Sequence, residues 1–339
     1  MSTASDWNII DFHTHIRPPW LTQPLAITTK LSAKDEAKRR EWFRKLVDVD
    51  LLLRESAEAG VELRLLSTTI EGVFGTQGPT NITLIRKIND FLAETQQRHP
   101  GRLAALATID AFSGEEGARE VERAINELGH VGIVIDSSRD ERFLADPSVR
   151  PTLEAAAALK VPVLVHPVGA PNSDALTQGG GTAAYAFGRG LVNGAAFLSV
   201  LGTRLLEELP DLNLVFTAIG VGSLVIAAAE TEQYSEAKRA SGTRPNVYFD
   251  IMGLNPQTIR YLVDFLGVER VLVGSDWPIW APVSRRALDK AFSEAGLTLD
   301  QQKAIAEGNT RRLLGARIGR GSPVAASARE ERVLSPLTT

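Results

Sequence analysis

The sequence contains no cysteine among its 339 residues. This excludes disulfide bonds and thiolate metal ligands, so a tightly bound metal ion would need histidine, aspartate, glutamate or backbone oxygen. The chain also lacks any apolar run of the roughly 20 residues that cross a bilayer, and its first eight residues do not have the basic and apolar parts of a signal peptide. We expect a cytoplasmic protein with no membrane partner.

An excess of positive charge is absent as well. The chain has 37 basic and 41 acidic residues, which give a net charge of -4, and the charges are scattered along the sequence. Binding to a nucleic acid backbone requires a concentrated basic surface, so we expect no nucleic acid partner. The hydrophobic content of 44% is sufficient for a large buried core.

Short apolar runs alternate with amphipathic segments along most of the chain, a pattern typical of parallel strands covered by helices. The predicted strands are 11–15, 61–67, 103–109, 132–136, 161–166, 213–218, 247–250 and 271–275. The predicted helices include 33–59, 83–98, 114–128, 147–159, 191–209 and 223–240. Eight such units predict an α/β fold, a (β/α)8 TIM barrel, as a single domain over residues 1–317. Residues 318–339 lack periodicity and are predicted to form a C-terminal tail.

Polar side chains end three of the predicted strands. His13 and His15 end strand one, His166 ends strand five and Asp276 follows strand eight. In a (β/α)8 barrel the carboxyl ends of the strands meet at one face, so we expect these four side chains to converge on one divalent metal ion. Nitrogen and oxygen donors of this kind are typical of a catalytic Zn²⁺ site, which is our first choice, and they also suit Mn²⁺ or Fe²⁺.

Further candidates follow other strands. Glu71, Asp136 and Asp250 could approach the metal, and the alternative for each is a helix cap or a hydrogen bond at the rim. Asp11 is expected to support the two histidines of strand one from inside the barrel. The two remaining histidines, His99 and His130, are interpreted as structural.

The loops offer candidates for substrate binding. Arg17 and Arg189 could each bind a carboxylate in bidentate fashion, and surface ion pairing is the alternative. Trp277 and Trp280 could form an apolar wall of the pocket, although both could equally serve in ordinary packing. These residues favour a small-molecule substrate that carries a carboxylate.

Five segments carry a resemblance to a known family. They are 10–19 with Asp-Phe-His-Thr-His, 164–166 with Leu-Val-His, 209–216 with Leu-Pro-Asp-Leu-Asn-Leu-Val-Phe, 246–250 with Asn-Val-Tyr-Phe-Asp, and 274–278 with Gly-Ser-Asp-Trp-Pro. The chain resembles the amidohydrolase superfamily over about residues 7–317, and within it the branch of the aminocarboxymuconate-semialdehyde and resorcylate decarboxylases. The resemblance implies a metallo-dependent hydrolase-like barrel with one metal bound by His13, His15, His166 and Asp276. It also implies that Asp276 takes part in proton transfer.

One position departs from the pattern of this family, which usually ends strand six with a histidine. Here the sequence reads Phe-Thr-Ala-Ile-Gly, so Ala218 stands where the resemblance implies an acid/base or metal ligand. Two hypotheses follow. The chain is a metal-dependent hydrolase or decarboxylase (lyase) that acts on a small carboxylated substrate, and it forms a homo-oligomer. Alternatively, it is a degenerate or supporting metal-binding subunit of a hetero-oligomer with a paralogous catalytic chain, in which an oxygen-using reaction is one option.

Overall fold

The computed structural model describes residues 7–21, 33–170, 181–234, 245–280 and 283–318. Eight parallel strands lie in one sheet in chain order: β1 (Ile9–His15), β2 (Val61–Ser67), β3 (Leu103–Thr108), β4 (Gly132–Asp136), β5 (Pro162–His166), β6 (Asn213–Phe216), β7 (Val247–Asp250) and β8 (Val271–Leu272). The segment after β8 continues beside β1, where the Phe12 N–H donates to the Val273 carbonyl at 2.8 Å and the Asp276 N–H donates to the His13 carbonyl at 2.9 Å. These bonds bring the two ends of the sheet together and confirm the predicted (β/α)8 barrel.

Helices lie between the strands. In chain order they are α1 (Ala33–Leu46), α2 (Val49–Ala59), α3 (Glu71–Phe74), α4 (Ile82–Arg98), α5 (Glu115–Asn126), α6 (Arg150–Ala158), α7 (Gly181–Leu201), α8 (Leu205–Glu208), α9 (Gly222–Glu230), α10 (Pro256–Leu266), α11 (Arg285–Glu294), α12 (Leu299–Lys303) and α13 (Asn309–Leu314). Shorter 3₁₀ and π segments connect them. Among the helices within the described ranges, none is both long and apolar enough to span a bilayer.

Three predicted helices differ from those in the structure. The helix predicted over 33–59 is divided at 47–48, because the Asp48 side chain accepts the Leu51 N–H at 2.8 Å and starts α2 as a separate helix. Helix α7 begins ten residues before the predicted start at Leu191 and ends at Leu201, so the helix predicted over 191–209 is divided into α7 and α8. The helix predicted over 223–240 ends at Glu230 in the structure, and its residues 235–240 lie outside the described ranges, as do residues 319–339 of the predicted tail.

The core has an inner and an outer part. All eight strands contribute to a buried apolar cluster inside the barrel, for example Phe12, Leu65 and Leu164. The side chains that alternate with them, such as Val163 and Val165, pack outward against the helices. Because both faces of each strand are filled with apolar groups, the polar side chains are left at the ends of the strands, where the candidate site lies.

Candidate metal centre and cavity

Strand β1 is irregular just before its two histidines. Its register against β2 shifts between Asp11 and Thr14, so side chains do not simply alternate along it. As a result, the Asp11 carboxylate pairs with Arg64, which also bonds to Ser56 on α2, the layer outside the barrel. Asp11 therefore does not support the histidine rings from inside the barrel as expected, but it still accepts the His13 backbone N–H at 3.2 Å.

The four predicted donors converge at the carboxyl end of the barrel. The Nε2 atom of His15 lies 3.1 Å from that of His13 and 3.2 Å from that of His166. The same atom lies 2.9 Å from Oδ1 of Asp276, and one donor atom from each residue lies within 4.8 Å of the others. Metal–nitrogen bonds of about 2.0–2.1 Å place neighbouring donors roughly 3 Å apart, so this spacing fits one ion.

The hydrogen bonds of the outer ring nitrogens determine which nitrogen carries the proton. Nδ1 of His13 lies 2.8 Å from the Asp250 carboxylate, which can only accept when ionised. Nδ1 of His15 lies 2.9 Å from the Ser67 hydroxyl, which donates its own proton to the Thr14 carbonyl. With a metal ion bound, both rings would carry their proton on Nδ1 and direct the lone pairs of Nε2 toward the ion. Such an arrangement is repulsive on its own and is stabilised by a shared cation.

Burial and charge act differently on the titrating groups. Burial alone would lower the pKa of His13, but the hydrogen bond to Asp250 and the charge of Asp276 raise it above 6.5. Burial lowers the pKa of His15, and it lowers that of His166 well below 6.5. Burial also opposes the ionised form of Asp276, yet the hydrogen bond with His15 and the charge of His13 lower its pKa below 3.8. Neutral imidazoles and an ionised carboxylate are the forms that bind a metal, so the shifts of His15, His166 and Asp276 favour binding, whereas an ion must displace a proton from His13.

Asp276 is held in place by its neighbour. Ser275 donates its backbone N–H to Asp11 at 2.9 Å and its hydroxyl to the same carboxylate at 2.6 Å. Asp276 itself has a φ of 53°, in the left-handed region that aspartate tolerates better than most residues. The Asp11 carboxylate thus connects β1, which carries His13 and His15, to the segment after β8, which carries Asp276.

Gly274 allows Asp250 to reach His13. A Cβ atom at position 274 would lie 2.6 Å from Oδ2 of Asp250 and 2.7 Å from its Cβ, closer than real contacts. The Asp250 carboxylate also accepts the backbone N–H of Ala218 at 3.0 Å and that of Met252 at 3.1 Å. The Asp250 carboxylate is therefore held by hydrogen bonds at the ends of β6 and β7, and its close contact with Gly274 leaves no space for a larger side chain at position 274.

We expect Gly274→Ala to weaken metal binding by about 10- to 100-fold, the usual effect of disturbing a partner of a ligand. The added methyl group displaces the Asp250 carboxylate, so His13 loses the bond that fixes its tautomer. Competition with a chelator measures the affinity. Gly222→Ala is the matched control, because a Cβ there meets nothing within 4 Å. Unchanged affinity in Gly274→Ala would show that this clamp does not orient His13.

A cavity of about 110 Å³ opens beside the four donors. Its wall includes residues from β1, α1, the segment after β2, α7 and the segment after β8. They are His15, Ile16, Arg17, Trp42, Leu46, Thr68, Thr69, Glu71, Gly72, His166, Tyr185, Arg189, Asp276 and Ile279. The cavity is the size of a small molecule, and three of the four donors face it.

Both candidate arginines lie on this wall. Arg17 is 4% exposed, its guanidinium lies 5.6 Å from the centre of the Phe43 ring, and burial lowers its pKa. Nη1 of Arg189 lies 2.7 Å from a Glu71 oxygen and 3.1 Å from the Tyr185 hydroxyl. Burial opposes the charge of Arg189, but Glu71 outweighs this effect and raises its pKa. Glu71, which could have approached the metal or capped a helix, thus lies on the cavity wall beside an arginine.

The two candidate tryptophans do not line the cavity. Trp277 is buried, and its indole N–H donates to Glu55 of α2 at 2.8 Å. Trp280 is 41% exposed and lies over Gly253, in the loop after β7. The apolar part of the wall is formed instead by Trp42 and Leu46 of α1, together with Ile16 and Ile279. The sequence predicted a helix here, but it did not show that the Trp42 side chain faces the cavity.

Other candidates lie around the centre. Asp136 is buried at the end of β4, paired in register with His166, and burial followed by the charge of Glu71 raises its pKa well above the usual value. His130 lies away from the cavity, with Nε2 3.1 Å from the Asn89 carbonyl, and burial lowers its pKa to about 4. Ala218 is buried where β6 ends and contributes only its backbone N–H, to Asp250.

Comparisons with known proteins agree with this geometry. The chain is 28% identical over 295 residues to a gamma-resorcylate decarboxylase of Polaromonas sp., covering 79% of this chain and 88% of that protein. It is 25% identical to a 2-amino-3-carboxymuconate-6-semialdehyde decarboxylase of Dictyostelium discoideum, covering 79% and 81%. A crystal structure of a dihydroxybenzoic acid decarboxylase from Polaromonas sp. with bound manganese has the same fold, with a TM-score of 0.71 at 24% identity over 91% of this chain and 96% of that one. The model of the amidohydrolase family matches residues 10–316, and the chain belongs to that family.

Proposed function

We propose that this protein is a metal-dependent decarboxylase of small aromatic carboxylates. The observation that carries the proposal is the convergence of three imidazole nitrogens and one carboxylate beside a cavity with two arginines on its wall. Hydrolysis, which the sequence also left open, is less favoured, because relatives that cover most of the chain are decarboxylases. These relatives favour an enzyme over a supporting subunit.

The donor set is suited to one divalent ion per chain. His13, His15, His166 and Asp276 would hold it, and we propose Zn²⁺, with Mn²⁺ and Fe²⁺ as the alternatives. A bound divalent ion supplies Lewis acidity that polarises an oxygen of the substrate. The residues do the remaining work: Arg17 orients the carboxylate, the cavity limits access of water, and Asp276 transfers a proton to the substrate.

The reaction consumes one proton, which the ionised Asp276 carboxylate takes from solvent before the carbon–carbon bond breaks. Asp276 delivers a proton to the ring carbon that bears the carboxylate, and the bond between that carbon and the carboxylate then breaks. The bonding electron pair returns to the ring, and carbon dioxide leaves. Arg17 is proposed to hold the carboxylate in position until this bond breaks, while Arg189, which is paired with Glu71, faces the rest of the ring.

Metal analysis and a carbon dioxide assay test the proposal together. We expect about one equivalent of divalent metal per chain, and release of carbon dioxide from hydroxylated benzoates such as gamma-resorcylate. Benzoate, which lacks the ring hydroxyls, is the comparison substrate. Metal below about 0.1 equivalent in well-folded protein, or product that has gained water without loss of carbon dioxide, would overturn the proposal.

The assembly of the chain is also a proposal. We propose a homo-oligomer, which size-exclusion chromatography with light scattering can test. A complex that forms only with a second, related chain and has no turnover without it would support the subunit alternative. The cytoplasmic location stays a prediction from the sequence.

A further inference from the structure

Helix α7 is locked against the barrel beside the metal centre. A Cβ atom at Gly190 would lie 2.4 Å from the Ile219 carbonyl oxygen, so only glycine permits this approach to the turn after β6. The side chain of Asn193 donates to the Val165 carbonyl at 3.1 Å, next to His166 in β5. The turn of α7 that carries Arg189 therefore has a fixed position relative to the metal donors.

The guanidinium of Arg189 is fixed from three sides. Glu71 of α3 pairs with Nη1 at 2.7 Å, Tyr185 of α7 provides its hydroxyl to the same nitrogen, and the Pro167 carbonyl accepts from Nη2. The second oxygen of Glu71 accepts the Gly169 N–H at 2.7 Å. The side chains of Arg189 and Glu71 are only 13% and 14% exposed. The pair is thus a built part of the cavity wall rather than a surface ion pair.

This pair has a consequence for the charge of the ligand. A carboxylate that approaches Arg189 meets the Glu71 carboxylate already bound there, and like charges at short range in a partly buried site repel strongly. A hydroxyl group meets no such barrier and can bond to Tyr185 or Glu71. The wall around Arg189 therefore accepts an uncharged polar group better than a negative one.

We propose that Glu71 is a specificity-determining residue that restricts the cavity to ligands with a single carboxylate, whose remaining polar groups are uncharged hydroxyls. This inference rests on the proposed function and narrows its substrate class. Under it, the substrate carboxylate lies toward the metal donors, and the far end of the ring faces Glu71, Tyr185 and Arg189. A dicarboxylate of the same size is excluded by Glu71.

Calorimetric titration of the metal-loaded protein with two probes tests this inference. The probes are 2,6-dihydroxybenzoate, with one carboxylate, and benzene-1,3-dicarboxylate, with two. We expect the wild type to bind the monocarboxylate at least about tenfold more tightly, and Glu71→Gln to reduce this ratio at least about tenfold, because glutamine keeps the size of the side chain and one acceptor oxygen but not the charge. Glu71→Asp keeps the charge and should keep a preference for the monocarboxylate.

Glu62→Gln is the matched control, since Glu62 also pairs with an arginine, Arg311 at 2.8 Å, but at the start of β2. It should leave the ratio unchanged. A ratio that does not move in Glu71→Gln, or a wild type that binds neither probe or prefers the dicarboxylate, overturns the inference. Thermal unfolding and metal content of each variant check that the site is intact. The readout is binding, so loss of the proposed decarboxylation would appear separately in the carbon dioxide assay.

Discussion

Asp276→Asn is expected to lower kcat/KM for decarboxylation by roughly 10²- to 10⁴-fold, the usual contribution of a positioned acid or base. Asparagine still offers an oxygen to the metal, but it can neither take up nor release a proton. The left-handed backbone at φ 53° also tolerates asparagine, so the fold should be kept. Steady-state kinetics of protein loaded with a known amount of metal measures the effect.

The control for this experiment is Asp264→Asn on α10. Asp264 has a side chain that is 62% exposed and pairs with Arg260 one helical turn away, so the same chemical change there should leave kcat/KM within about twofold. If Asp276→Asn retained metal and more than about a tenth of the activity, the proton would have to come from another group. Glu71 and Asp136 would then be the next residues to test.

Arg64→Met is expected to lower the free energy of unfolding by about 3–5 kcal/mol, as the loss of one partner from a buried ion pair usually does. Arg64 is 2% exposed and pairs with Asp11, which is fully buried. Methionine leaves the Asp11 carboxylate without its cation in the layer between β1, β2 and α2. Chemical denaturation measures the loss as a shift in midpoint at constant slope.

The same substitution should also weaken the metal centre. Asp11 holds Ser275 next to Asp276 and accepts the backbone N–H of His13, so its movement displaces two donors together. Arg260→Met removes an exposed arginine from a pair with Asp264 and should change the free energy of unfolding by less than about 1 kcal/mol. Equal effects of the two substitutions would contradict a special role for Arg64.

The barrel and the cluster of three histidines and one aspartate at its end could be predicted from the sequence because both depend on local patterns. A buried parallel strand is a short apolar run, and a polar residue at its end stands out, as His166 does after Leu164 and Val165. The break between α1 and α2 also had a local signal, since Asp48 is a typical helix cap, but the amphipathic pattern on both sides concealed it.

Features that depend on packing between distant segments were not predicted correctly. The helix predicted from Leu191 begins at Gly181 in the structure, and the contact between Gly190 and Ile219 that holds it is not visible in the sequence. A pocket wall and ordinary packing were both open for Trp277, and its indole bonds to Glu55 on α2. Glu71 and Arg189 are 118 positions apart, and nothing in a single sequence indicates that they form an ion pair.

The donors lie far apart along the polypeptide, at positions 13, 15, 166 and 276, and the last of them follows the final strand. A nascent chain whose synthesis has reached only β7 contains the three histidines but not yet the carboxylate of Asp276. Metal uptake with the full donor set therefore waits until synthesis has passed β8 and its hydrogen bonds to β1 have formed. In this way acquisition of the ion marks the completion of the barrel and distinguishes a finished molecule from a truncated one.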